Sequence, residues 1–87
     1  MRNESVTSWH DGIQAVLNAH CVPARGEQRD FSQVREVVAR VHWQADGWET
    51  IGTSAEAWAG DLVLVNLPDR RSQLRGIWFH TADVTPR

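Results

Sequence analysis

Two strand-like runs joined by Asp46-Gly47 constrain the fold of this chain more than any other feature of its sequence. Apolar and polar residues alternate from Val37 to Trp43, and a second run of strand-forming residues extends from Trp48 to Trp58. A period of two is typical of a half-buried strand, and Asp-Gly is a strong signal for a hairpin turn. The pattern predicts an antiparallel hairpin, and Gly52 predicts a bulge or sharp bend in its second strand.

Further turn signals divide the remaining chain into short strands. Ala59-Gly60-Asp61 predicts a second turn, the apolar run Leu62–Leu67 predicts a buried strand, and Gly76–His80 predicts another. Ala82–Val84 predicts a turn or a last pairing segment. Short connections make neighbouring strands antiparallel, and closure into a barrel protects their edges. We therefore expect a small antiparallel barrel of four to five strands. Its predicted core consists of Val37, Val41, Val63, Val65, Leu67, Ile77 and Phe79, with Leu62 and Leu64 as alternatives because their run is unbroken.

The N-terminal third has a different period. Trp9, Ile13, Val16 and Leu17 recur at the spacing of one helical face, and Pro23 disfavours helix at the residue before it. This spacing predicts an amphipathic helix over Ser8–Ala19. A helix this short is marginal alone in water, so we expect those four side chains to dock on the same chain or on a second copy. The predicted organisation is a helix and linker over residues 1–33 and a barrel over 34–87, forming one compact domain.

Length and composition narrow the class of protein. A chain of 87 residues forms one domain at most, and its 41% hydrophobic and 23% charged residues are ordinary for soluble globular proteins. No apolar run is long enough to span a bilayer, and the polar start from Met1 to Thr7 predicts no secretory signal. Cys21 is the single cysteine, so no internal disulfide can form and we expect a cytoplasmic location.

Several short motifs after residue 36 resemble a known kind of small barrel. They are Val37-Val38-Ala39-Arg40-Val41, Gly60-Asp61-Leu62-Val63-Leu64-Val65, Arg75-Gly76-Ile77-Trp78 and Ala82-Asp83-Val84. This order resembles Src-homology-3-like barrel proteins of actinobacteria and their phages. The similarity covers a little over half of the chain and leaves out the predicted helix. It implies a barrel fold and a phage or mobile-element source, and it implies no catalytic residue.

No set of residues in the sequence predicts catalysis. The four histidines lack metal-ligand spacing, and Cys21 has no partner cysteine. Acidic residues such as Asp46 and Asp69 lie in predicted turns, where Asp commonly caps the backbone. We therefore expect a protein that is not an enzyme and that has no metal or other cofactor.

Arginine and tryptophan are the residues that suggest binding. Arg70, Arg71 and Arg75 fall in one predicted loop, and strand parity predicts that Trp78 faces away from the core beside them. Such a set can bind carboxylates or phosphates. The complete predicted binding set is Arg40, Arg70, Arg71, Arg75, Trp78 and His80. Of the five tryptophans, we expect about three to be structural and one or two to lie on a partner-binding surface.

These features favour a protein–protein interaction module, and the resemblance implies a phage or mobile-element accessory protein that modulates a host protein. A homo-oligomer is left open. The net charge of −2 argues against long-range attraction to a phosphate backbone. The alternative is a nucleic-acid-binding barrel that uses the loop from Arg70 to Arg75.

Overall fold

The computed structural model describes residues 12–87, which form one six-stranded antiparallel sheet. The strands are β1 (Ala19–His20), β2 (Arg29–Trp43), β3 (Gly47–Ala59), β4 (Leu62–Asn66), β5 (Gly76–His80) and β6 (Val84–Pro86). Their order is β1-β5-β4-β3-β2-β6, and each pair of neighbours is antiparallel. The prediction of a mainly β, antiparallel fold is confirmed, with six strands in place of four to five.

The turn of the β2–β3 hairpin consists of three residues and ends before Gly47, which already belongs to β3. Gln44, Ala45 and Asp46 form the turn, and Gly47 pairs with Trp43 at a φ of 77°. A left-handed residue at this point is the usual way to end a three-residue hairpin loop, and glycine adopts it without steric cost. The hairpin prediction is therefore confirmed, and the third turn residue places His42 opposite Trp48.

Gly52 does not form the predicted bulge. It pairs with Val38 inside an unbroken register that runs from Arg35 to Trp43. A Cβ at this position would lie 2.5 Å from Nη1 of Arg87, whose side chain crosses the strand. The absence of a side chain at Gly52 leaves room for the Arg87 guanidinium. The sequence does not distinguish this use of glycine from a bend.

The irregularity in β3 lies instead at Glu56. Ala55 pairs with Val65, and Ala57 pairs with Leu64, so two steps along β3 correspond to one along β4. This extra residue reverses which side chains face each side of the sheet. Ala55 packs in the main core, whereas Ala57 packs in a second apolar cluster with Trp78.

The main core is formed by side chains of β2, β3, β4 and β5, with Leu67 just after β4. All seven predicted core side chains are buried, and Ala39, Trp43 and Ala55 join them. The alternating side chains of β2 supply one wall, as the period of two predicts. Leu62 and Leu64 pack in the second cluster rather than the main core.

The predicted helix over Ser8–Ala19 is wrong for residues 12–19, and residues 8–11 lie outside the described part of the chain. Gly12 has a φ of 88°, and Val16 forms an antiparallel bridge with Trp43. The Leu17 N–H donates to the His42 carbonyl at 2.7 Å. Pairing with β2 therefore replaces the intrahelical hydrogen bonds, which a short isolated helix holds only weakly.

The segment from Gln14 to His20 contacts two strands in succession. Val16 bridges to β2, and Ala19 and His20 then pair with Phe79 and Trp78 of β5. Phe31, in the predicted linker, lies within β2 and packs against the main core. Within the described part of the N-terminal third, Val16, Ala19 and His20 thus pair with strands of the sheet. Within residues 12–87, no helix has the length and apolar character needed to cross a membrane.

Candidate interaction surface

The loop between β4 and β5 carries the three predicted binding arginines, but Arg71 is engaged inside the chain. Its guanidinium donates to Asp46 Oδ2 at 2.9 Å, to Glu49 Oε1 at 2.7 Å and to both carboxylate oxygens of Asp69 at 2.8 and 2.9 Å. Its charge is therefore directed to the protein's own carboxylates. This Arg71 cluster joins the β4–β5 loop to the β2–β3 hairpin.

The Arg71 cluster shifts the protonation equilibria of its members. Hydrogen bonds from Arg71 lower the pKa of Asp69 to about 2, and the same carboxylate raises the pKa of Arg71 above its ordinary value. Hydrogen bonds from Gln14 and Arg71 lower the pKa of Asp46. All three shifts favour the charged forms that hold the cluster together.

Arg70 and Arg75 are the arginines of this loop that remain exposed. They line a shallow depression of about 290 Å³ with Leu67, Pro68 and Asp69. Its walls are short and open, and Asp69 offsets part of the positive charge. Two exposed arginines remain of the predicted set of three.

Trp78 and His80 do not form the predicted exposed surface beside the arginines. Trp78 faces away from the main core, as strand parity requires, but only 4% of it is exposed. It packs with Ala57 and Ala59, whose small side chains leave room for the indole. His80 Nδ1 accepts a hydrogen bond from the Ala82 N–H at 3.0 Å and caps the turn that follows β5. The prediction of an exposed Trp78 is wrong.

The exposed aromatic surface lies instead on the outer face of the β2–β3 hairpin. The rings of His42 and Trp48 stack at 4.3 Å with an interplanar angle of 12°. The guanidinium carbon of Arg40 lies 4.5 Å from the Trp48 ring centroid. Trp48 nevertheless remains 53% exposed. We name Arg40, His42 and Trp48 the aromatic platform.

Regular strand pairing fixes the aromatic platform in place. His42 lies directly opposite Trp48, and Arg40 lies two pairs further along on the same face, opposite Thr50. Cross-strand neighbours on one face of a hairpin stand close enough for their rings to touch. Arg40 also forms an ion pair with Asp83 at 3.7 Å. The predicted binding set contained Arg40 but missed His42 and Trp48. Counting outward along both strands from a turn over residues 44–46 would have paired these two residues.

The predicted helix interface is divided by the structure. Val16 is half-buried against the main core, whereas Ile13 and Leu17 are exposed. Trp9 lies outside the described residues. The three side chains that the structure describes therefore do not share one docked face.

Within residues 12–87, no group of three or more His, Cys, Asp or Glu side chains is placed to hold a metal ion. Cys21 is a free, exposed thiol.

Comparison with known proteins finds no relative: the chain matches no protein-family model, no curated protein and no solved structure.

Proposed function

We propose that this protein is a non-enzymatic protein–protein interaction module that binds its partner through the aromatic platform. The observation that carries the proposal is the exposure of Trp48, which is 53% accessible although His42 and Arg40 both lie against its ring. Tryptophan and arginine are the residues that most often supply the binding energy of protein interfaces. An exposed pair of them on a rigid hairpin is therefore the best-supported binding surface.

Preorganisation strengthens the proposal. The platform lies on paired strands, and the stacking of His42 and Trp48 fixes the indole before a partner arrives. Binding consequently costs less side-chain entropy than it would for a mobile tryptophan. A partner with an apolar side chain flanked by a carboxylate would complement the indole and Arg40.

Nucleic-acid binding is the second candidate, favoured by the exposure of Arg70 and Arg75 in the β4–β5 loop. Guanidinium groups donate hydrogen bonds to phosphate oxygens. The engagement of Arg71 by three carboxylates reduces the positive charge that this loop offers. The net charge of −2 also provides no long-range attraction, so we rank this candidate below the protein interface.

The broader expectations belong to the same proposal. The bridge from Val16 to Trp43 and the pairing of β1 with β5 support a nearly closed Src-homology-3-like barrel. The sequence resemblance supports a phage or mobile-element accessory role that modulates a host protein. The single cysteine supports a reducing, cytoplasmic compartment. Light scattering of the purified protein distinguishes a monomer from a homo-oligomer.

A matched pair of tryptophan variants tests the proposed interface. Trp48→Ala removes the platform, and Trp58→Ala removes a second exposed tryptophan, 41% accessible, from another part of β3. Proteins captured from a host lysate by the unmodified chain are compared with those captured by each variant. We expect one specific partner to be lost with Trp48→Ala and retained with Trp58→Ala. Retention of every partner by Trp48→Ala contradicts the proposed interface.

A titration with a random single-stranded oligonucleotide tests the second candidate. Binding through phosphates weakens with salt, with a log–log slope of about −0.7 for each contact to single-stranded DNA. Arg70→Ala combined with Arg75→Ala should then reduce both the affinity and the slope, whereas Trp48→Ala leaves the slope unchanged. Tight, salt-dependent binding that these arginines control would favour nucleic acid over a protein partner.

A further inference from the structure

We infer that an apolar pocket beside Phe31 binds a monocarboxylic acid that has an apolar hydrocarbon chain. The pocket has a volume of about 440 Å³ and is lined by residues of β2, β3, β4 and β6. This volume falls within the range of about 300–1,000 Å³ that is usual for small-molecule sites. We name it the Phe31 pocket. It shares no lining residue with the aromatic platform, so the inference is independent of the proposed function.

The lining of the Phe31 pocket changes character from floor to mouth. Val37, Ala55 and Val63 form a buried apolar floor, and Phe31 and Val84 form half-buried walls. No charged side chain among the lining residues is buried. An uncharged hydrocarbon chain is therefore the chemistry that matches the interior, because a buried polar group would find no hydrogen-bond partner there.

Arg35 is exposed and lies at the mouth, on the same face of β2 as the buried Val37. Its guanidinium carbon lies 4.8 Å from the Phe31 ring centroid, and within residues 12–87 no carboxylate forms an ion pair with it. Glu36 and Arg87 point to the opposite face, where they form a 3.4 Å ion pair and the Arg87 guanidinium lies against Gly52. Arg35 therefore contributes one unpaired positive charge at the mouth. One carboxylate balances this charge, whereas a dianionic phosphate exceeds it.

Two features make Arg35 suitable for holding that carboxylate. Its stacking on Phe31 orients the guanidinium plane while leaving its N–H groups free for bidentate donation. Glu36 points to the opposite face of β2, is paired there with Arg87 and does not face the ligand. The geometry consequently predicts that neutralising Arg35 weakens binding and that neutralising the adjacent Glu36 does not.

Three eight-carbon probes that differ in head group test the inference. The full chain, labelled with ¹⁵N, is titrated with octanoate, octan-1-ol and octylammonium while amide shifts are followed by NMR. We expect octanoate to shift the amides of residues 31–37, 55, 63 and 84–87. An exposed ion pair contributes little, so octan-1-ol should bind about three- to fivefold more weakly, and octylammonium more weakly still.

Four variants complete the test. Phe31→Ala should abolish saturable binding of octanoate. Arg35→Gln should lower the affinity for octanoate about threefold, as expected for one exposed ion pair. Glu36→Gln, which neutralises the neighbouring residue on the opposite face of β2, should leave octanoate binding unchanged. Arg75→Gln, which neutralises an exposed arginine outside the pocket, should leave it unchanged. The two neutralising variants at positions 35 and 36 keep the test decisive if Phe31→Ala does not fold.

Three results would overturn the inference. The first is an absence of saturable octanoate binding, and the second is equal affinity for octanoate and octan-1-ol. The third is a set of shifts centred on the other apolar groove, which is lined by residues such as Val22 and Leu74 and has no charged side chain in its lining.

Discussion

The Arg71 guanidinium carbon lies 4.1 Å from the ring centroid of the fully buried Trp43. Glu49 connects the two residues a second time, because its carboxylate accepts hydrogen bonds from Trp43 Nε1 at 3.0 Å and from Arg71 Nη2. An arginine from the β4–β5 loop thus covers the last core residue of β2. The loop is fixed to the end of the main core by a cation–π contact and by charge-assisted hydrogen bonds.

Replacing Arg71 should destabilise the protein. Arg71→Gln leaves Asp46, Glu49 and Asp69 facing one another without a cation, and it uncovers the Trp43 ring. We expect a loss of about 1–3 kcal/mol in the free energy of unfolding, the range for hydrogen bonds to charged groups, measured by urea denaturation. Arg70→Gln is the matched control, and it should change stability by less than about 0.5 kcal/mol. Equal effects of the two variants would contradict a structural role for Arg71.

Acid should weaken the protein through Asp69. Its pKa is lowered from 3.8 to about 2 by Arg71, so the folded protein binds this proton less readily than the unfolded chain. The resulting stabilisation is fully present above the unfolded pKa and disappears as the pH falls through the folded one. Thermal stability should therefore drop between about pH 4 and pH 2, and Asp69→Asn should flatten that drop. Asp61→Asn, outside the Arg71 cluster, is the control, and a profile that Asp69→Asn leaves unaltered argues against this linkage.

The tryptophans of the hairpin should respond differently to truncation. Trp43→Ala empties a fully buried site and should cost about 3–5 kcal/mol of stability. Trp48→Ala removes a half-exposed ring that stacks on His42 and lies against Arg40, so we expect a loss of about 1 kcal/mol or less. Chemical denaturation monitored by circular dichroism measures both. Comparable losses would mean that Trp48 is structural and would remove the basis of the aromatic platform.

Side-chain amides should hold the N-terminal segment in its extended path. Asn18 Oδ1 accepts from the His42 N–H at 2.9 Å, and its Nδ2 donates to the Arg40 carbonyl at 2.8 Å. Asn18→Ala leaves both backbone groups without these partners, so we expect a loss of about 1–2 kcal/mol. Amide exchange at His42 should accelerate in this variant. Gln73→Ala, at an exposed loop position, should alter neither quantity, and unchanged exchange in Asn18→Ala would show that the segment is held by other contacts.

The hairpin and the main core could be predicted from sequence because they depend on local patterns. Alternation in β2 identifies its buried side chains directly, and the glycine after Asp46 marks the turn. The third turn residue was not predicted, since Asp-Gly also fits a two-residue turn. A turn at Asp46-Gly47 would place Ala45 opposite Trp48, whereas the turn over residues 44–46 places His42 there, and so the aromatic platform was missed.

The candidate site was harder to predict because burial and pairing involve distant parts of the chain. Strand parity correctly predicted that Trp78 faces away from the main core. The bulge at Glu56, however, places Ala57 against the indole, and Trp78 is buried. The three arginines were correctly placed in one loop. Their different fates depend on Asp46 and Glu49, which lie more than twenty residues earlier.

The sequence alone determined that this chain is mainly β, approximately where β2 to β5 lie, and seven of the ten buried side chains of its main core. These properties follow from periods and turn residues that act over a few positions. Tertiary structure alone decided that residues 12–20 pair with strands instead of forming a helix, that Arg71 is internal, and that Trp48 rather than Trp78 is exposed. Each of these outcomes depends on hydrogen bonds and contacts between residues far apart in sequence, whose energies no local pattern contains.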